Sequence, residues 1–322
     1  MGEYYYKKIN NEEHMVLLGF QSVDGNTQEA WISLRYGANL CRYAYQGFNI
    51  IDYDPALWGT SEFTGTPVLY PTPNRVENGT FIFRGKTYDQ VKRGKRIFEH
   101  GLVFDEEWEL LEVYATDKEA FLSARLLWTE DSPLFKAFPF RHSLTLRFSL
   151  TDGAVEISFE IANHDIKDIP FGFGLHPYFQ KLSGEDRTSI ELPVDNVMEA
   201  SEALLPTGRI MAVQGTKFDL NQPTSIGSLD LDHVFIRSAG DDPATIHYAD
   251  QGFGVYIYAT DDFSHYVVYS PPGMPYFCIE NQTCSTDAHN LYNRGLHEIS
   301  GLKIVTAGEH KTGRVRYKIF PE

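Results

Sequence analysis

The chain has 322 residues and carries 28 Lys and Arg against 44 Asp and Glu, a formal net charge of −16 with histidine neutral. That sign argues against nucleic acid and against an anionic membrane as the partner, because phosphate binding draws its affinity from clustered cations. With 42% hydrophobic residues, 19 Tyr and 22 Phe, the composition supplies a large core and excludes a disordered chain.

The amino-terminal Met1-Gly2-Glu3-Tyr4-Tyr5-Tyr6-Lys7-Lys8 lacks the apolar stretch of a signal peptide, and no later window is long and apolar enough to span a bilayer. Cys41, Cys278 and Cys284 are too few and too unevenly spaced for a disulfide framework or a zinc site. A cytoplasmic protein is expected. Asn78-Gly79-Thr80 and Asn281-Gln282-Thr283 match the glycosylation triplet, which has meaning only in a secreted chain and is read here as chance.

The dominant period along the chain is two. Phe81-Ile82-Phe83 and Thr87-Tyr88 around Gly85 suggest a hairpin, as do Trp108–Tyr114 and Phe121–Trp128 around Thr116-Asp117-Lys118. Leu144, Leu146, Phe148 and Leu150 alternate with polar residues, and so do Val155, Ile157, Phe159 and Ile161. The Thr151-Asp152-Gly153 link between these runs makes them one antiparallel pair. Gly254–Ala259 and Tyr266–Tyr269 around Asp261-Asp262 read as a further hairpin, and Val315, Tyr317 and Ile319 as a closing strand. No stretch holds a helical period for three turns, so an all-β sandwich or barrel is expected. Length alone allows two domains, but no linker divides the chain. One domain over residues 1–322 is expected, with a split near Lys181–Gly184 as the fallback.

Four places hold polar groups that a β scaffold does not need. Tyr70-Pro71-Thr72-Pro73-Asn74-Arg75-Val76 presents an amide beside a guanidinium on a proline-stiffened loop, although taken alone it reads as a surface turn. Glu99-His100-Gly101-Leu102 puts a histidine at a strand entrance, a position usually structural or exposed. Pro170-Phe171-Gly172-Phe173-Gly174-Leu175-His176-Pro177-Tyr178-Phe179 holds His176 among aromatic rings, beside glycines that allow close backbone approach. A lone histidine there is more often a core residue bonded to a carbonyl, yet rings beside a titratable group also describe a sugar platform. Pro275-Tyr276-Phe277-Cys278-Ile279-Glu280-Asn281 ends an apolar strand in a carboxylate, which is scarce there unless paired or working. Asp230 and Asp232 add carboxylates on one face of a strand, with His233 on the other. No loop carries hard-cation spacing, and no P-loop or dinucleotide fingerprint is present, so no metal or nucleotide is expected.

In this order, these places resemble the aldose 1-epimerase (galactose mutarotase) family over nearly the whole chain, to Ala307-Gly308-Glu309. Gly174-Leu175-His176-Pro177-Tyr178-Phe179 is the most specific element, followed by Cys278-Ile279-Glu280, with Leu205-Pro206-Thr207-Gly208 in support. The resemblance implies a large antiparallel β-supersandwich that interconverts the α and β anomers of an aldohexose. It implies Glu280 as general base and His176 as general acid, with Asn74, Arg75, His100 and Asp232 holding the sugar and Tyr178 walling the cleft.

The chemistry fits those residue types. Opening a hemiacetal removes the proton of the C1 hydroxyl while protonating the ring oxygen, so a base and an acid are expected on opposite sides of one C–O bond. No cofactor is needed. The chain departs from the family pattern at Leu102-Val103-Phe104-Asp105, where an Arg often follows His-Gly, at Asn281-Gln282 after the base, and at Pro271, where some relatives have a sugar-binding Gln. These departures bear on sugar preference. A hexose-6-phosphate 1-epimerase would need a basic pocket, from Arg75, Arg84 or Arg141, in an acidic chain. A carbohydrate-binding protein without turnover would have no need of an acid beside a base, and a glycosidase pairing Glu280 with Asp232 would leave His176 without a role.

Overall fold

The computed structural model describes residues 2–9, 12–60 and 62–322. Two large antiparallel sheets, of thirteen and nine strands, face each other. One continuous apolar cluster draws on both and fills the space between them. Across it Phe179 of the larger sheet meets Tyr317 of the smaller edge-on at 5.5 Å.

The alternating sequences explain the layers. Strands His142–Thr151 and Ala154–Asn163 pair residue by residue through the Asp152-Gly153 turn, where Gly153 has φ +70°. Val155, Ile157, Phe159 and Ile161 are buried while Glu156, Ser158 and Glu160 are partly exposed. Strands Thr80–Phe83 and Lys86–Asp89 form the expected hairpin across Arg84-Gly85, both with positive φ, as a tight two-residue turn demands. Strands Glu109–Ala115 and Ala120–Trp128 pair as expected, with a bulge between Leu110 and Glu112. The closing strand His310–Pro321 lies between Ala154–Asn163 and Phe253–Ala259 in the smaller sheet.

One expected hairpin is not there. Strands Phe253–Ala259 and His265–Tyr269 both form, but the first belongs to the smaller sheet and the second to the larger. The link between them is a layer crossing. Phe263, buried in that link, packs against Phe159 and Phe173, so it draws the chain through the core. Among the described residues the longest α-helix, Ala288–Asn293, has six residues, and no helix is long and apolar enough to cross a membrane.

The larger sheet positions the site. Its central strands run Tyr178–Gln180, Tyr276–Gln282, His265–Tyr269 and Asp232–Arg237, each paired with the next. Their register places Tyr178, Cys278, Tyr269 and Asp232 in one row across the sheet. Residues two apart on a strand share a face, so Glu280 stands on one side of that row and Tyr276, opposite Gln180, on the other.

Candidate active site

Above these rows lies an open cavity of about 710 Å³, lined among others by Asn74, Arg75, Glu99, His100, His176, Tyr178, Asp232 and Glu280. All seven residues singled out from the sequence line it.

Two loops laced together bring three of them in. His100 donates its backbone N–H to the Asn74 carbonyl at 2.8 Å, Leu102 donates to that of Tyr70 at 2.7 Å, and Val76 to that of Phe98 at 2.7 Å. This lacing requires Gly101, since a Cβ there would stand 2.3 Å from the Tyr70 carbonyl oxygen. The proline loop is therefore not a surface turn, and Tyr70–Asn74 are buried. Asn74, at φ +56°, accepts from the backbone N–H of Arg75 at 2.8 Å and from its Nη1 at 3.2 Å. Arg75 Nη2 also meets Glu99 Oε1 at 3.2 Å and Asp232 Oδ2 at 3.6 Å. From the other side, Asp287 donates its N–H to the Arg75 carbonyl at 2.9 Å, and its Oδ1 accepts from the Glu77 N–H at 3.0 Å.

Strand Gly174–Leu175 delivers His176. It pairs with Gln282 and Asn281 on one side and with Leu69 and Val68 on the other. A Cβ at neighbouring Gly172 would collide with Cys284 Sγ at 2.3 Å and Pro73 Cδ at 2.5 Å, so that glycine lets the proline loop close on this segment. The His176 ring stacks on Tyr178 at 4.9 Å and meets His100 edge-on at 5.2 Å. Phe63 stacks over it at 6.2 Å and is itself braced by Phe104 at 5.0 Å. The position where an Arg often follows His-Gly thus contributes an apolar brace.

His176 Nε2 lies 3.3 Å from Glu280 Oε1. Both residues are buried, 5% and 2% exposed. Glu280 Oε2 accepts from Gln282 Nε2 at 2.8 Å. Burial pushes the Glu280 carboxyl well above its ordinary value; the Gln282 bond opposes that rise, Asp232 and Glu99 add to it, and Arg75 opposes it. Burial lowers the His176 imidazole to about 4, and burial with the nearby His176 and Arg75 pulls His100 well down. Two titratable groups in such contact titrate as a coupled pair. The two side chains stand side by side at the cavity wall. Because O1 and the ring oxygen of a pyranose are both bonded to C1, adjacent groups can each reach one.

The consensus of the aldose 1-epimerase family matches residues 24–318. The chain belongs to the aldose 1-epimerase family. This family member is 28% identical over 211 residues to YihR of Escherichia coli, an uncharacterised protein, with 64% of each chain covered. It is 26% identical over 205 residues to bovine galactose mutarotase, with 58% of this chain and 57% of that protein covered. The chain thus spans about three-fifths of the length of these curated relatives. In fold it is similar to a galactose mutarotase-like protein from Clostridium acetobutylicum, with a TM-score of 0.87, 19% identity and 99% of both chains covered. The galactose 1-epimerase of Lactobacillus acidophilus gives a TM-score of 0.77 at 17% identity, covering 100% of this chain and 99% of that one.

Several lining residues carry no local signal in the sequence. Glu99 stood beside His100 but gave no sign of reaching Arg75. Phe63 and Glu62 sit in a stretch without periodicity, and Tyr269 is by its pattern only a strand end. Arg84 and Arg141, the other candidates for a phosphate site, do not line the cavity and pair with Asp168 and Asp165. Among the described residues no group of three or more His, Cys, Asp or Glu is arranged to hold a metal ion.

Proposed function

We propose that this chain is an aldose 1-epimerase acting on a neutral aldohexose, with Glu280 as base and His176 as acid. The observation that carries the reading is the buried contact of 3.3 Å between His176 Nε2 and Glu280 Oε1 at the wall of an open cavity. Glu280 takes the proton of the C1 hydroxyl, the C1–O1 bond becomes a carbonyl, the bond from C1 to the ring oxygen breaks, and His176 protonates that oxygen. Rotation about C1–C2 turns the other face of the aldehyde to the hydroxyl. Reclosure returns one proton to His176 and passes the other from Glu280 to O1, so the pair ends as it began.

Burial favours the neutral forms of both groups, which is the protonation state of the pair while the sugar is open. Gln282 and Arg75 favour the ionised carboxylate that starts the cycle. Arg75 and His100 orient the sugar, with Asn74 and Asp232 as further polar partners and Tyr178 as an apolar wall.

The charge of the cavity supports a neutral substrate over a phosphorylated one. Among the described residues six that line it are acidic (Asp52, Asp54, Glu62, Glu99, Asp232 and Glu280), and the single lining Lys or Arg is Arg75, already engaged by Glu99 and Asp232. A binding protein without turnover would gain nothing from burying an acid against a base.

Polarimetry on freshly dissolved α-D-glucose and α-D-galactose, beside a coupled assay on glucose 6-phosphate, tests the reading. Catalysis of the neutral sugars is expected. Glu280→Gln and His176→Asn should each lower kcat by about 10²–10⁴-fold with the fold intact by circular dichroism. Rates no better than buffer on a broad aldose panel would overturn it.

A further inference from the structure

Lys92 lies outside the cavity and is only 5% exposed, a rare place for an ammonium. The short strand Val91–Lys92 turns through Arg93-Gly94 into Lys95–Arg96, and both turn residues have positive φ. Lys92 meets the loop that follows His100. Its Nζ donates to the Leu102 carbonyl at 2.6 Å, to Asp105 Oδ1, and to Glu106 Oε1 at 2.7 Å. An ammonium has three donors, and these acceptors use all of them.

The same ammonium sits over the Phe104 ring, 5.6 Å from its centroid. From there a line of rings leads to the site. Phe104 meets Phe63 edge-on at 5.0 Å, while Phe63 meets His100 edge-on at 4.7 Å and stacks over His176 at 6.2 Å. The Leu102 end of the clamp is tied to the site as well, because the Leu102 N–H is held by the Tyr70 carbonyl and that of His100 by the Asn74 carbonyl. Behind the loop there is no slack. A Cβ on Gly37 would stand 2.5 Å from the Phe104 carbonyl oxygen, and the Gly37 N–H donates to the Glu106 carbonyl at 2.8 Å.

We propose that Lys92 is a positioning residue of this active site, a buried cation that holds the Phe104 and Phe63 rings against His100 and His176 without touching the sugar. The role of His176 in catalysis rests on the epimerase reading; the clamp on its ring does not. Neutralising the carboxylates of the loop is a separate task, shared with Arg93. From the solvent side, with its side chain 57% exposed, Arg93 Nη1 meets Asp105 Oδ2 at 3.0 Å and Nη2 meets Glu106 Oε1 at 2.8 Å. Lys92 adds to these the Leu102 carbonyl and the Phe104 ring. Such bracing matters to an acid that must meet one oxygen of the substrate, since a misplacement of about 1 Å costs rate even when every contact residue is intact.

The test measures kcat for glucose and galactose, together with the imidazole NMR signals of His100 and His176, in the intact protein and in Lys92→Met, Phe104→Leu and Arg93→Met. Lys92→Met and Phe104→Leu should each lower kcat by about 10–100-fold and shift both imidazole signals. Arg93→Met removes a cation from the same two carboxylates and should leave kcat and both signals as they are. Lys92→Met combined with Phe104→Leu should be no slower than the slower single variant, because both act through one brace. An unchanged kcat in Phe104→Leu, an equal loss in Arg93→Met, or losses that multiply in the double variant would overturn the clamp. If Lys92→Met does not fold, Phe104→Leu against Arg93→Met decides, since Phe104→Leu leaves the charge cluster whole. An intact protein that turns over no aldose would sink the epimerase reading alone. The imidazole signals then decide: the clamp stands if Lys92→Met and Phe104→Leu move them and Arg93→Met does not, and falls otherwise.

Discussion

Gln282 donates its side-chain amide to the Glu280 carboxylate at 2.8 Å from two residues along the same strand. The bond ties up Oε2 and leaves Oε1 to His176, so it fixes which oxygen faces the imidazole. It also stabilises the charged form against the burial that disfavours it. Gln282→Leu should therefore raise the Glu280 pKa further. Since the proposed mechanism needs Glu280 ionised as base, the rising limb of kcat against pH should move up by about one pH unit, with KM little changed. Gln282→Glu, which adds a like charge, should move it further. A limb that stays in place in both variants would show that the amide does not tune the base.

Asp287 ties the Arg75 loop to the segment after strand Tyr276–Gln282. Its buried carboxylate accepts from the Glu77 N–H and, at 2.7 Å, from Asn290 Nδ2. Asp287→Ala leaves both donors without that acceptor, a cost of about 1–3 kcal/mol. Urea titration should register the loss, and KM should rise more than kcat falls because Arg75 loses its support. Asp287→Asn retains an acceptor oxygen and should recover most of both. A rise in KM of equal size in the two variants would argue against positioning.

Acid should destabilise this fold early. His142 is held at about 3, and His176, His265 and His289 at about 4, in each case chiefly by burial, against an ordinary 6.5. The unfolded chain therefore binds more protons between pH 6.5 and 4, so stability is present above that window and lost as pH falls through it. Glu280 has the opposite sign: its raised pKa means the folded state binds more protons above pH 4.5, and this contribution falls as pH rises. Urea midpoints should drop steeply from pH 7 to pH 5. At pH 8 Glu280→Gln should melt higher than the parent, trading activity for stability.

The acidic cavity should discriminate by charge. At low ionic strength kcat/KM for glucose 6-phosphate should lie at least about tenfold below that for glucose, and added salt should narrow the gap as the field is screened. Glu62→Gln, which removes one lining carboxylate, should narrow it as well. A gap indifferent to salt would assign the discrimination to shape.

Local pattern made the hairpins legible where turn and strands are contiguous. Asp152-Gly153 and Arg84-Gly85 join strands that do pair. The same logic misplaced Phe253–Ala259 and His265–Tyr269, because turn residues say that the chain reverses and not which sheet receives it. Only the burial of Phe263 between Phe159 and Phe173 decides that. His176 and Glu280 stood out as titratable groups in apolar strands. Their contact depends on the pairing of Gly174 with Gln282, more than a hundred residues apart, which no local period encodes. Tyr269 reaches the cavity through its pairing with Cys278 and Asp232, and Glu99 through its bridge to Arg75; nothing in their sequence neighbourhood, or in that of Glu62 and Phe63, distinguishes them from solvent-facing or core residues.

Strand Tyr276–Gln282 sets a limit on how this protein can diverge. Its even-numbered residues 276, 280 and 282 serve the cleft, while Phe277 and Ile279 are buried in the core. Deleting one residue within it would turn the base into the core and a phenyl ring into the cleft. Substrate preference can therefore drift by substitution at its first residue and in the largely exposed Pro271–Pro275 turn before it, while the stretch from Phe277 to Gln282 must be inherited at fixed length.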